Sequence, residues 1–586
     1  MRPKCLSVAA LACGILPGFL PAQLINNPQA IPHTGNPPVI FLNGFQLDCG
    51  SASFANDFGI ADQVFQANSR ATLFFNNCTV SGSPSIEALG SAFGSYLAGL
   101  RYDDGQPVTT VDAVGYSMGG LILRSYLSGK QVTQGAFTPP ASIPIRKAIF
   151  IATPHFGSPV GALAFGTSVQ ADELSSGSHF LMDLNTWNQN HDDLRGIDAI
   201  AIAGNGGTGL AVSPGFDDGL VALSSASLRF YKPGVTRVLP LCHSANGIPS
   251  SIGLCPPNAK SVAKILTATD DNARIVVSFL ASTPEWQTIG TAIEQIPALV
   301  QGSGVIVRAR TASDQTILPS SITATKKLNM SNSEIAWTDL LPSGLINFAV
   351  SAGTQSFSKS VTVMPGGAQA IVVKPGPSID AVIPAAALVS PLVVAPRMII
   401  SLYGSALDQA SISVTSVNTN NEPLAILYNG SQQINALLPA DLPVGLMKLQ
   451  LQNSAGSQTI NLYVEPAYPA VFTLANNTAA AVDANTGQIV TATTPLRPGD
   501  YVELYLTGLG VTSRSNGFDV ANVQPTVTIA GVNCPVTYAG AAPGFPGLDQ
   551  INCIVPSSGL SASSAAAVVV TSGLRSSPVT TVAVGP

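Results

Sequence analysis

Over its first half the chain alternates short apolar runs with amphipathic stretches, and this alternation predicts a parallel sheet covered by helices. The runs Pro38–Leu42, Ala71–Phe75, Thr110–Val114, Lys147–Ala152 and Asp198–Ala203 are each brief, apolar and closed by Gly, Asn or Thr. Between them, Ser85–Arg101 and Ser117–Ser128 repeat Leu, Ile, Phe and Tyr at helical spacing, and Gly129 is placed to stop the second helix. Beyond about Pro284 the helical spacing fades. Runs of Val, Ile, Thr and Ser punctuated by Gly, Pro and Asn take over, which predicts β-sandwiches. Val305–Arg310, Ile346–Ala352 and Ala370–Val373 are the strands of a first module over 284–378, closed by the turn-rich 374–377.

An internal repeat divides the remainder. Pro396, Tyr403, Tyr428, Gln433-Ile434-Asn435 and Pro439 recur in order as Pro498, Tyr505, Tyr538, Gln550-Ile551-Asn552 and Pro556, so 379–468 and 469–586 are expected to be two copies of one β-module. Tyr538-Ala539-Gly540 with Gly547-Leu548-Asp549-Gln550-Ile551-Asn552 resembles the immunoglobulin-like carboxy-terminal modules of exported acidobacterial proteins. The resemblance covers about 390–466 and 490–584 and implies export rather than chemistry. The expected architecture is α/β over 23–283 followed by three all-β sandwich modules.

The amino terminus adds Met-Arg-Pro-Lys and an apolar stretch from Cys5 to Leu20, too short and too interrupted by Gly14, Pro17 and Gly18 to span a bilayer. It predicts a signal peptide over 1–22, cleaved after Ala22, with acylation at Cys13 as the alternative, and so a secreted or cell-surface protein. Cys5 and Cys13 leave with that segment. The other six cysteines fall into neighbouring pairs, Cys49 with Cys78, Cys242 with Cys255 and Cys534 with Cys553, which an exported chain would join as disulfides. In the first repeat copy, Leu424 and Ala436 stand where the second has Cys534 and Cys553, so both cysteines are absent together. Charged residues make up 10% of the chain, against roughly 25% in average soluble proteins. No run of Lys or Arg could neutralise consecutive phosphates, so nucleic acid is excluded as a partner.

The candidate chemistry centres on Val111-Asp112-Ala113-Val114-Gly115-Tyr116-Ser117-Met118-Gly119-Gly120, an apolar strand, a Gly-x-Ser-x-Gly turn and the start of a helix. Such a turn forces the serine outward, with glycines where a Cβ would collide and the helix's positive end facing an anion formed at the serine. A serine hydroxyl needs a base, and imidazole suits the task. Of five histidines, His33 precedes the first strand and His179 and His191 lie in a polar insertion, leaving His155 and His243. His243 follows the acid candidates, as the Ser, Asp, His chain order of α/β-hydrolases requires. Asp217 and Asp218 are those candidates, and Asp218-Gly219-Leu220-Val221 favours the second.

These motifs resemble bacterial triacylglycerol lipases, and Thr153-Pro154-His155-Phe156-Gly157-Ser158 is also similar to inositol-deacylase-like hydrolases. The likeness spans about 36–282 and implies an α/β-hydrolase cleaving carboxylic esters of lipid-like substrates through Ser117, Asp218 and His243. It also implies oxyanion donors at the backbone of Phe45 and Met118, a loop-fixing role for His155, and no metal or organic cofactor. Departures are Asp217, where the lipases usually carry Asn, and Asn43, where they usually carry His. Rival readings are a phospholipid or inositol-acyl deacylase, a polymer esterase, and an inactive adhesive protein, with the β-modules holding a cell-surface or extracellular polymer. Two further expectations are an apolar cap over Ser117 from Val160–Trp187, carrying Leu163, Phe165, Phe180, Leu181 and Leu184, and β-modules dispensable for chemistry.

Overall fold

The computed structural model describes residues 24–161, 166–188, 193–210, 216–244, 253–296, 302–331, 333–386, 393–573 and 575–586. The expected leader over 1–22, with Cys5 and Cys13, lies outside these residues, as do Leu163, Phe165 and His191.

The first part is a mixed α/β unit built on one seven-stranded sheet. In chain order its strands are β1 (Val39–Leu42), β2 (Thr72–Phe75), β3 (Val111–Tyr116), β4 (Ile145–Ile151), β5 (Asp198–Gly204), β6 (Thr236–Leu239) and β7 (Thr291–Ala292). They lie in the order β2-β1-β3-β4-β5-β6-β7, with the first six parallel and β7 antiparallel to β6. All four residues of β1 and all six of β3 are buried, the continuous pattern of strands covered on both faces. The helix Ile86–Gly99 begins where the Ser85 hydroxyl accepts from the Ala88 amide, and Met118–Ser128 ends at Gly129, whose φ of 62° is left-handed.

Helices Phe54–Phe58, Ala61–Ala67, Val169–Leu174, His179–Leu184, Leu223–Ala226 and, last, Asp271–Leu280 also pack on the sheet's core. The C-terminal end of the last is a cation site: Lys147 Nζ donates to the Phe279 carbonyl at 2.7 Å, and Arg70 and Arg146 donate to that of Leu280 at 2.9 and 3.0 Å. Both arginines also pair with the buried Asp112 on β3, at 2.8 and 2.6 Å, so the start of β3 is anchored by charge.

The remainder is β-structure. Strands between Ser303 and Val373 form a four-stranded and a three-stranded sheet around one apolar core. Strands from Ser378 to Val464 form two four-stranded sheets around a second, and those from Ala470 to Val584 an eight-stranded and a five-stranded sheet around a third. The two repeat copies pair alike: Tyr403 faces Gln433 and Tyr505 faces Gln550, while Tyr428 faces Asn435 and Tyr538 faces Asn552, each after a register shift. In both, the Gln side-chain Nε2 donates to Oδ1 of the Asn two residues on, at 2.9 and 2.8 Å.

The α/β unit does not close at residue 283. Its sheet takes β7 from Thr291–Ala292, and its core includes Ile306, Ile335, Ala368 and Ala370 of the next segment. Trp187 meets Tyr463 edge-on, and the Asn188 side-chain carbonyl accepts from the Tyr463 amide at 2.8 Å. The expected cap is therefore corrected in its described part. Phe180, Leu181 and Leu184 belong to the main core, and Trp187 packs against Phe137 and Tyr463, because those two aromatics bury its indole ring.

Candidate active site

Ser117 stands between β3 and its helix with φ 52° and ψ −124°, a conformation that L-residues hold only when neighbours fix it. The Ser117 amide donates to the Ile151 carbonyl at 2.8 Å, and Gly120 N donates to the Ser117 carbonyl at 3.1 Å. The flanking glycines are required by space. A Cβ at Gly115 would lie 2.7 Å from the Gly120 Cα, and one at Gly119 would lie 2.3 Å from the Leu42 carbonyl oxygen.

The fold brings three of the expected residues into one chain of hydrogen bonds. His243 Nε2 lies 2.9 Å from Ser117 Oγ, and His243 Nδ1 lies 2.8 Å from Asp218 Oδ2. The second carboxylate oxygen of Asp218 accepts from the Leu220 and Val221 amides at 3.0 and 2.8 Å, which fixes the face offered to the imidazole. The His243 amide donates to the Asp218 carbonyl at 2.8 Å, tying the two loops together. Asp217 turns elsewhere: its Oδ1 accepts from the Gly219 amide at 2.9 Å. Ser117, Asp218 and His243 are each less than 5% exposed.

Two residues that the sequence did not single out hold the histidine. The Tyr116 hydroxyl donates to the His243 carbonyl at 2.7 Å, and the Ser261 hydroxyl does so at 3.1 Å. Burial pushes the Tyr116 phenol well above its ordinary range, so it stays a donor. Tyr116 was in view as the second residue of the serine motif; Ser261 carried no local signal. The Cys242–Cys255 disulfide closes the loop that carries His243, and Cys49–Cys78 and Cys534–Cys553 are joined as well.

Gly44 passes close to the serine: a Cβ there would lie 3.0 Å from Ser117 Cβ and 3.5 Å from Oγ. Phe45 follows on that loop, and Met118 is the first residue of the helix after Ser117, so the two expected donors flank the serine. Asn43 is fully buried and bonded to Asn76 and Asn77.

His155 is set apart from this chain. It lies fully buried between Phe150 and Phe230, with Nδ1 at 3.4 Å from Arg124 Nη1. Burial and the Arg124 charge depress its pKa well below the usual imidazole value, so it is neutral. Arg124 itself, buried and lowered to about 10, donates to Asn185 Oδ1 at 2.9 Å and sits over the Phe230 ring. Together they fasten the loop after β4 to the helix Met118–Ser128. Among the described residues, the group able to offer a metal three ligands is the exposed trio His33, Asp103 and Asp104, outside the serine site. No helix among them is long and apolar enough to cross a membrane.

No family model matches the chain, and no curated protein matches it. Among solved structures it is similar to the phospholipase PlaB of Legionella pneumophila in complex with thio-NAD, at 14% identity and a TM-score of 0.41, over 57% of this chain and 93% of that one. It is also similar to the Bacillus licheniformis lipase BlEst2, in its mature form at 20% identity and a TM-score of 0.27, over 35% of this chain and 84% of that one. The propeptide form of BlEst2 gives 14% identity and a TM-score of 0.31, over 79% of this chain and 97% of that one.

Proposed function

We propose that this protein is an exported serine esterase of α/β-hydrolase type that cleaves carboxylic esters of lipid-like substrates. The observation that carries the reading is the unbroken chain Ser117 Oγ, His243, Asp218 at 2.9 and 2.8 Å, held at the strained turn after β3. The Asp218 carboxylate accepts a hydrogen bond from the Nδ1–H of His243, which leaves the Nε2 lone pair facing the serine. As Oγ attacks the ester carbonyl its proton passes to Nε2. The tetrahedral oxyanion is met by the Phe45 and Met118 amides, at the positive end of the helix Met118–Ser128. His243 then returns the proton to the leaving alkoxide; a water deprotonated by the same imidazole attacks the acyl carbonyl, and the imidazolium gives that proton back to Ser117 Oγ as the acid departs. Every proton in this cycle is carried by groups of the chain itself.

Three disulfides support export, since such bonds persist in oxidising surroundings. The β-segments after 303 are read as immunoglobulin-like modules, with a cell-surface or extracellular polymer as their partner. The test is a fluorophosphonate probe together with p-nitrophenyl esters of increasing chain length. The protein should label at Ser117 and hydrolyse the esters, and Ser117→Ala should abolish both. Absence of labelling and turnover in the folded protein would leave the adhesive reading in its place.

A further inference from the structure

The loop beside the serine is held by an amide clamp that the cycle above does not use. Asn43 Oδ1 accepts from the Asn77 amide at 2.9 Å, and Asn43 Nδ2 donates to Asn76 Oδ1 at 3.2 Å and Asn77 Oδ1 at 3.3 Å. In return, Asn77 Nδ2 donates to the Gly44 carbonyl at 2.8 Å and the Asn43 carbonyl at 3.4 Å. Asn43 and Asn77 are 0% and 5% exposed, so water does not compete for these bonds. Cys78, next to Asn77, is joined to Cys49 on the far side of the same loop, so the clamp and the disulfide act on one short segment.

The bond to the Gly44 carbonyl gives the clamp a chemical consequence. That carbonyl and the Phe45 N–H belong to one planar trans peptide, in which the two groups point in opposite directions. Fixing the oxygen fixes the N–H. Gly44 is the residue whose added Cβ would fall 3.0 Å from Ser117 Cβ, so the peptide being aimed lies against the nucleophile.

We infer that Asn77, seated by Asn43, is a positioning residue that aims the Phe45 amide at the oxyanion of the reaction. This rests on the esterase reading. Asn77 does not touch substrate. A merely structural clamp would change stability and leave the charge stabilisation of the transition state alone.

The experiment compares an ester with its thionoester counterpart, because sulfur accepts hydrogen bonds poorly and an intact oxyanion site therefore favours the oxygen substrate strongly. Asn77→Asp keeps the size of the side chain but turns an oxygen toward the Gly44 carbonyl; Asn77→Ser removes the amide donor without adding charge. In whichever variant keeps its disulfides and a cooperative unfolding transition, kcat on a soluble p-nitrophenyl ester should fall by about 10²-fold, the size of losing one oxyanion donor. KM should stay nearly constant, and the oxygen-to-sulfur rate ratio should collapse toward unity. A folded variant with an unchanged ratio overturns the inference while leaving the esterase reading intact. A wild-type protein that neither labels with fluorophosphonate nor turns over either substrate removes both.

Discussion

Tyr463 lies beneath the Arg195 guanidinium, whose central carbon is 4.0 Å above the ring, and the Tyr463 hydroxyl accepts a hydrogen bond from that same guanidinium. One residue comes from the α/β unit and the other from the first repeat copy, so the contact spans 268 positions of sequence. Tyr463→Ala removes the ring from Arg195 and from Trp187 together. It should cost about 3–5 kcal/mol, the usual range for deleting a large buried side chain. The check is the unfolding temperature against wild type, with turnover of a soluble short ester below that temperature retained.

The two carboxylates at 217 and 218 should separate cleanly. Asp218→Asn leaves a side chain that no longer holds the His243 proton in place, and kcat should fall by about 10⁴-fold. Asp217→Asn keeps an oxygen to accept from Gly219, and activity should stay within a few-fold of wild type. Equal losses in two well-folded variants would contradict the assignment.

His243→Ala should likewise lower turnover by about 10⁴-fold or more with little change in stability. His155→Ala should do the reverse. It opens a cavity between Phe150 and Phe230 beside the buried Arg124, so the unfolding temperature drops while turnover of a short ester changes little.

The pH response of stability is set in part by Glu173. Its carboxyl is raised well above the ordinary range, first by burial and then by the charge of Glu87, while the Ile86 amide donates to its Oε2 at 2.7 Å. A carboxyl that holds its proton longer when folded than when unfolded binds more protons in the native state. Its contribution to stability is therefore greatest at acid pH and is lost as pH rises above the ordinary glutamate value toward the raised one. Glu173→Gln removes the ionisation and keeps an acceptor for Ile86. The variant should melt higher than wild type at pH 8 and show little gain at pH 4; a lower melting temperature at both would count against this account.

Reducing Cys242–Cys255 should loosen the His243 loop. The paired Cys242→Ser, Cys255→Ser variant should lose about 3 kcal/mol, as loops of this length do, and should lose activity before it loses fold. Melting curves and turnover measured on the same samples decide this.

Much of the site was written locally. The serine turn carries its own steric grammar, and chain order separates His243 from His155, so Ser117, Asp218 and His243 could be named without coordinates. Five of the seven strands of the α/β unit, β1 to β5, could be named for a similar reason, since a strand buried on both faces reads as a largely apolar run, whereas β6 carries Thr236 and Arg237 and β7 is two residues long. What escaped depends on distant partners. Phe54–Phe58 and Ala61–Ala67 are too short to show a period, Asn77 matters only because Gly44 lies against it, and Trp187 is as apolar under a repeat module as it would be over a serine. The end of the α/β unit was also hidden, because Ile306 and Ala370 alternate along their strands like any sandwich residues, yet reach the earlier core.

That borrowed core sets an order of events during synthesis. A nascent chain that has reached Leu280 carries every member of the Ser117–His243–Asp218 array, yet β7 and the covering side chains of Ile306, Ile335, Ala368 and Ala370 are still to be made. The edge beside β6 stays bare until Ala292 has emerged, and the apolar face beneath those residues stays open until Ala370 has. A fragment ending before that point would hold Ser117, Asp218 and His243 on a scaffold with that apolar face uncovered and open to proteases.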